Sequence, residues 1–434
     1  MNAPLSHARG PFAPAEKSMD HVRSLKCLVC GAEYSHDQID YVCPKHGDDD
    51  IVDVQYRYDV IRTRLSPAKL AESREMTMWR YRELLPIRAD AQVPPLAVGW
   101  TPLYKTERLA EALEVRDLWV KDDGRQPTAS LKDRASAMAV VKGRERGAEI
   151  ITTASTGNAA AALTGLCASV GQRNVIFVPQ SAPPAKIAQL LVFGGTVMLV
   201  RGTYDDAFEL CLKASREFGW YNRNTGYNPY MSEGKKTVSY EICEQLGWKA
   251  PDRIFVSVGD GCIIGGVHKG LKDLLTLGWI DKMPKLMGVQ AAGSAALYQA
   301  AKDGVPGIEM KPIDAVTIAD SISAGLPRDR IKALAAVKET GGAWIKVSDD
   351  EILAEIPVLG RNAGVFAEPA GACALAGLRR ALAEGITSPD ERIVVLVTGN
   401  GLKDIASARK SVGEPYVVDA NLQSVQNLVA QWKA

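Results

Sequence analysis

The chain has 434 residues, a formal net charge of +1, and is 46% hydrophobic and 24% charged. That length allows two or three domains around a large core. The near-neutral charge gives no electrostatic footprint for a nucleic-acid or membrane partner. No run approaches the roughly 18 apolar residues of a membrane span. The first residues lack the basic start and apolar stretch of a secretory signal, so a cytoplasmic location is expected. Cys167, Cys211, Cys243, Cys262 and Cys373 are scattered through mostly apolar surroundings, as reduced thiols serving as small hydrophobes would be.

Residues 1–20 read as a flexible tail. A module at 21–60 carries Cys27-Leu-Val-Cys30 and, after a twelve-residue gap, Cys43-Pro-Lys-His46. Three thiols and an imidazole at this spacing suit a tetrahedral zinc ion holding a small ribbon, and four protein ligands leave no open position for catalysis. A reduced-thiol hairpin without metal is the alternative. Residues 61–98 have a helical look up to Pro94-Pro95, and 99–434 form the main body.

In that body, strands are expected at 118–121, 150–153, 175–178, 196–200, 253–258, 285–290 and 393–398. Helices are expected at 131–146, 158–170, 185–193, 204–218, 235–246, 265–277, 349–361 and 370–384. Strands rich in Val and Ile that alternate with helices of ten or so residues predict parallel βαβ units and an open α/β architecture.

Four segments carry chemistry. Lys132 stands in Gln126-Pro-Thr-Ala-Ser-Leu-Lys-Asp-Arg134, at the first turn of an expected helix, where the helix dipole disfavours an ammonium and helps supply a free amine. Ser155, Thr156, Gly157 and Asn158 follow a strand and open an alanine-rich helix, a cradle of N–H groups and hydroxyls for an anion such as a carboxylate; an ordinary helix cap is the plain alternative. Gly259, Asp260, Gly261, Cys262 and Ile263 repeat that strand-to-helix placement and suit a phosphate held by backbone donors, though it is neither a Walker loop nor a dinucleotide fingerprint. Asp260 should point away from such an anion. Thr398 ends the last clear strand. One amine and three donor-rich loops are the set needed to bind pyridoxal 5'-phosphate (PLP) as a Schiff base. A hydroxyl at 398 facing the pyridine nitrogen would keep the ring neutral and favour proton removal with elimination. His268, the one histidine near these segments, is expected on a helix surface.

Together these segments resemble the fold type II PLP enzymes, and among them the threonine synthases, over about residues 76–410. Met78-Trp-Arg-Tyr-Arg-Glu-Leu-Leu-Pro86, Pro127-Thr-Ala-Ser-Leu-Lys-Asp-Arg134, Glu368-Pro-Ala-Gly-Ala372 and Thr398-Gly-Asn-Gly-Leu-Lys-Asp404 are similar to that family's motifs. The resemblance implies two open twisted α/β domains with the cofactor in the cleft, a smaller mobile subdomain at about 138–235, and a homodimer. It also implies that Lys132 forms the Schiff base and shuttles protons, that Asn158 bonds the cofactor's 3'-oxygen, that 259–263 hold its phosphate, and that Thr398 faces its ring nitrogen. Ser130 and residues 155–158 would receive the amino-acid substrate.

The substrate side departs from the family. Ala159, Ala162 and Met231 stand where the family has Thr, Ser and Arg, and Ser323-Ala-Gly-Leu-Pro327 replaces Arg-Ile-Gly-Asn-Pro. Each lost charge-assisted bond weakens a bound phosphate by roughly 1.5–3 kcal/mol. An unphosphorylated substrate is therefore expected, processed by α-proton removal at Lys132 and loss or replacement of a side-chain substituent. Lys235 and Arg328 are the cations that could restore a phosphate site and with it a true threonine synthase. A β-replacement synthase and a catalytically silent ligand-binding relative complete the alternatives.

Overall fold

A computed structural model describes residues 19–48 and 51–432. The tail expected at 1–20 lies outside these, save for its last two residues.

The strands are β1 (Val22–Cys27), β2 (Glu33–Tyr34), β3 (Val52–Tyr56), β4 (Leu103–Lys105), β5 (Asp117–Asp122), β6 (Ile150–Ala154), β7 (Arg173–Pro179), β8 (Thr196–Val200), β9 (Tyr221–Asn222), β10 (Arg253–Ser257), β11 (Lys285–Ala291), β12 (Trp344–Val347) and β13 (Arg392–Val397). They form three sheets. The first is a small antiparallel ribbon ordered β2-β1-β3. The second is ordered β12-β11-β10-β13-β5-β4 and is parallel except for its edge strand β4. The third is ordered β8-β7-β6-β9 and is wholly parallel.

Parallel strands between helices are covered on both faces, so they read as continuous apolar runs. Every residue of β6 and β10 is buried accordingly. Two large apolar clusters result. One joins the ribbon's Leu25, Val52 and Val54 to helix Lys132–Glu145 and to β10. The other packs helix Pro369–Ala383 onto β11 and β13. This is the α/β architecture that the alternating pattern predicted. Among the described residues no helix is long and apolar enough to cross a membrane.

The differences are local. The segment expected to be helical at 61–98 contains two short α-helices and a 3-10 stretch, Met78–Leu84, kinked at Tyr81. The expected helix 235–246 is two helices, Tyr230–Lys235 and Thr237–Gln245, meeting at Lys236. Strands β4, β9 and β12, of two to four residues, are too short for a period to register. His268 is a correction. It is 4% exposed, with Nε2 3.3 Å from Glu339 Oε2, because helix Cys262–Leu277 is covered by helix Arg330–Glu339 as well as by the sheet.

Candidate active site

Lys132 begins its helix directly beside the end of β13. Leu131 N–H donates to Thr398 O (2.9 Å), Asn400 N–H donates to Ala129 O (3.0 Å), and Ser130 bridges Gly399. The turn before the lysine holds Ala129 at φ +66°, a conformation that costs an alanine energy and persists where its surroundings over-determine it. Both neighbours of the lysine are tied inward. Asp133 accepts from Thr128 N (2.7 Å), and Arg134 is fully buried between Asp123 and Glu241. Lys132 alone is left half-buried. Burial lowers its pKa below the ordinary lysine range, and the nearby Arg223 guanidinium pushes the same way.

Ser155, Thr156 and Gly157 sit half-exposed at the carboxyl end of β6, and helix Asn158–Ser169 opens without a side-chain cap. Its first-turn N–H groups therefore lack intrahelical acceptors. Asn158 is buried; its Nδ2 donates to Glu368 Oε1 (2.7 Å) and to Ser321 Oγ (3.3 Å). Glu368 N–H in turn donates to Gly399 O (3.1 Å). The 155–158 loop, the 368 motif and the 398 motif thus meet within one chain of contacts. Burial raises the Glu368 carboxyl above its usual pKa.

The glycines at 259 and 261 are dictated by space and by backbone. A Cβ on Gly259 would lie 2.7 Å from Ile322 Cα; one on Gly261, at φ +91°, would lie 2.7 Å from Ala333 Cβ. Helix Cys262–Leu277 then starts with no side-chain cap, so its first-turn N–H groups lack intrahelical acceptors. Asp260 Oδ1 accepts from Arg328 N (3.3 Å) and its carbonyl accepts from Asp329 N (2.8 Å); burial raises the carboxyl's pKa, while the charges of Lys132, Arg328 and Lys235 pull it down. A backbone cradle at a helix start, a half-buried amine, and the buried Thr398 fit a phosphorylated aldehyde cofactor.

Two further cations lie close enough to Lys132 to act on its charge or feel it. Lys235 is 0% exposed, and its Nζ has no hydrogen-bond partner. Burial, reinforced by Lys132 and Arg223, pushes it down to about 8. Arg223 is 1% exposed; Nε donates to Ser136 Oγ (3.1 Å) and Nη1 to Thr225 Oγ1 (2.9 Å), while Nη2 has no partner. Burial lowers its pKa to about 10. Ser130 Oγ is likewise buried and unpaired. Arg328, by contrast, stacks over Phe208 (4.4 Å) and reaches Asp205 (3.5 Å), and Met231 is buried in the core. The sequence did not single out Arg223. Its one signal was a guanidinium amid small polar residues just after a buried strand end.

In the ribbon, the ligand atoms of Cys27, Cys30, Cys43 and His46 all lie within 4.8 Å of one another. Cys30 Sγ and Cys43 Sγ are 3.9 Å apart, close to the ~3.8 Å edge of a tetrahedron with 2.3 Å metal–sulfur bonds. Val29 N and Cys30 N donate to Cys27 Sγ (3.4 and 3.5 Å), bonds that orient a thiolate toward an ion.

Fold and site together define an α/β enzyme of fold type II, built to act on an amino group through PLP. The chain belongs to the pyridoxal-phosphate dependent enzyme family, whose profile matches residues 95–399. It is 36% identical to a threonine synthase of Methanocaldococcus jannaschii over 411 residues, 94% of this chain and 99% of that one. It is 38% identical to a threonine synthase of Methanosarcina acetivorans, over 93% and 98% of the two chains. Among solved structures, the processed threonine deaminase isoform 2 of Solanum lycopersicum superposes with a TM-score of 0.61 at 25% identity, covering 72% of this chain and 87% of that one. Diaminopropionate ammonia lyase of Escherichia coli shares the fold, with a TM-score of 0.63 at 19% identity over 78% and 93% of the chains.

Proposed function

We propose that the enzyme is a threonine synthase, converting O-phospho-L-homoserine and water to L-threonine and phosphate. The observation that carries this reading is the pair of buried, unpaired cationic atoms, Lys235 Nζ and Arg223 Nη2, beside Lys132. An unpaired buried charge is costly unless a partner arrives. The cofactor's phosphate accounts for one anion, held on the 259–263 backbone. A second dianion, the substrate's phosphate, accounts for the two cations. This reading replaces the expectation of an unphosphorylated substrate, which rested on Ala159, Ala162 and Met231. The charge absent at 231 is met by Lys235, one helical turn further on.

Bound PLP supplies a conjugated electron sink for negative charge at the substrate's Cα. The chain does the rest. Residues 259–263 would hold the cofactor's phosphate, Thr398 would meet its ring nitrogen, and Asn158, oriented by Glu368, would meet its 3'-oxygen. Ser130, Ser155, Thr156 and Gly157, with the Asn158 N–H, hold the substrate's carboxylate at the helix start. Lys132 Nζ, its pKa lowered by burial, would take protons from Cα and then Cβ, the electrons left at Cβ expelling the phosphate from Cγ, and would return protons to Cγ and Cα while water adds at Cβ. Closure of the 138–235 unit excludes water until it is needed. A structural zinc ion on Cys27, Cys30, Cys43 and His46 and a homodimeric, cytoplasmic enzyme complete the proposal.

A second reading, β-elimination from an unphosphorylated hydroxy amino acid, draws on the apolar Met231 and Ala162 and on the likeness to threonine deaminase. The test is to incubate purified holoenzyme with O-phospho-L-homoserine, L-threonine or L-serine. Equal yields of threonine and phosphate from the first are expected; keto acid and ammonia from the others, with no phosphate release from the first, would favour the second reading.

A further inference from the structure

We infer that the N-terminal ribbon positions the two cleft cations, through Tyr41 for Arg223 and Tyr56 for Lys235, and thereby sets the enzyme's affinity for the acidic group of its substrate. The inference rests on the reading that these cations receive that group.

Arg223 follows β9, a strand of only two residues at the edge of its sheet. On the inner side, Arg223 N–H donates to Thr152 O of β6 (2.8 Å). The next amide back, Asn222 N–H, faces the open edge, where a strand this short has little to hold it. Tyr41 closes that edge. Its hydroxyl oxygen accepts from Asn222 N (2.9 Å), and its ring packs against Tyr221 (5.7 Å) and Tyr227 (4.9 Å). The backbone of the residue before the guanidinium is therefore fixed by a ribbon side chain.

Lys235 lies where helix Tyr230–Lys235 breaks and helix Thr237–Gln245 begins. Its neighbours Glu233 and Lys236 point the other way, toward the ribbon. Tyr56, the last residue of β3, donates its hydroxyl to Glu233 Oε2 (2.5 Å), and Lys236 Nζ sits 4.0 Å over the Tyr56 ring while pairing with the same carboxylate (2.7 Å). The joint continues outward. Asp53 of β3 pairs with Lys269 (2.7 Å) and Lys332 (3.4 Å), and Asp273 pairs with Lys236 (2.8 Å) and accepts from Tyr58 (2.6 Å). Lys269 is on the helix that starts at the phosphate loop. Three lysines and three carboxylates are thus locked around one ribbon strand at low exposure. Such buried ion-pair networks specify one geometry, because displacement separates charges that have no water to replace their partners.

A ribbon that merely covered apolar surface would need no such polar register. Three holoenzyme variants, Tyr41→Phe, Tyr56→Phe and Lys235→Met, separate the cases. The readouts are kcat and KM for O-phospho-L-homoserine, the dissociation constant of inorganic phosphate, and zinc and PLP content. Each Tyr→Phe change removes one hydrogen bond and keeps the ring. We expect KM and the phosphate constant to rise about three- to tenfold, kcat to stay within about twofold, and zinc and PLP to be retained. Lys235→Met should raise both constants further. If Lys235→Met weakens phosphate while both tyrosine variants match the parent, the ribbon is only a cover and the inference fails. A fall in kcat at constant KM also overturns it, since that reports lost folded enzyme. If Lys235→Met leaves the phosphate constant unchanged, the cation reading falls, and the inference with it. Should Tyr56→Phe fail to fold, Tyr41→Phe decides the question through a separate contact.

Discussion

Replacing Lys235 with methionine should make the protein more stable and bind its substrate more weakly. Burial, with the like charges of Lys132 and Arg223, pushes this lysine from 10.5 to about 8. At about 1.36 kcal/mol per pH unit, carrying the charge costs the cofactor-free fold about 3 kcal/mol wherever folded and unfolded chains are both protonated. The sign follows from the depressed folded value. The cost is complete below about pH 8 and fades as the pH approaches 10.5, where the unfolded chain is losing the proton as well. Methionine fills much the same volume without the charge. Denaturant unfolding of the cofactor-free variant should therefore show a gain of up to about 3 kcal/mol at pH 7, and little near pH 10.5. In the holoenzyme, loss of a charge-assisted bond of roughly 1.5–3 kcal/mol should weaken O-phospho-L-homoserine about ten- to hundredfold. Reduced stability at pH 7 together with an unaltered KM would refute the reasoning, because Lys235 would then have a resident partner.

The same titration predicts that KM for the phosphorylated substrate rises as pH passes about 8, because Lys235 gives up the charge that attracts it; a pH profile of kcat/KM in parent and Lys235→Met checks this, and the variant should lose that limb. Lys132→Ala should retain the fold by circular dichroism yet lose both the visible cofactor absorbance and turnover, since no other amine stands at that helix start. Gly261→Ala, at φ +91° and 2.7 Å from Ala333 Cβ, should cost about 1 kcal/mol or more in stability and weaken PLP retention, measured by dialysis and absorbance. Metal analysis should find about one zinc ion per chain. Chelation, or Cys43→Ser, should remove it and lower the melting temperature by a few degrees.

The elements legible beforehand were the ones that carry period. Helix Tyr204–Phe218 was expected at exactly these limits: it has a Thr203–Asp206 capping box at one end and Gly219 in the left-handed region at the other, so its stops are local. The strands around β6, β10 and β13 were visible because burial on both faces makes them continuous apolar runs. Lys132, the 155–158 loop and the 259–263 loop stood out because each is a break between a strand and a helix. Missing from that view were β9 and β12, too short to show a period, and the buried face of His268, which depends on a helix about seventy residues away.

What the sequence by itself determined is therefore local: the alternation of strands and helices, the small-residue loops between them, the lysine that opens a helix, and three cysteines and a histidine at their spacing. What only the tertiary structure decided is which charges are left without partners. Arg223 and Arg328 are chemically the same side chain, yet one keeps a buried, unpaired nitrogen and acts on the charge of Lys132, while the other stacks on Phe208 and reaches Asp205. Glu233, Lys235 and Lys236 are near neighbours on one short stretch, yet the first and third are held by a ribbon tyrosine, while the second is left without a partner among the charges of Lys132 and Arg223. The physical reason is that the electrostatic state of a buried group depends on every group packed around it, and those arrive from distant parts of the chain.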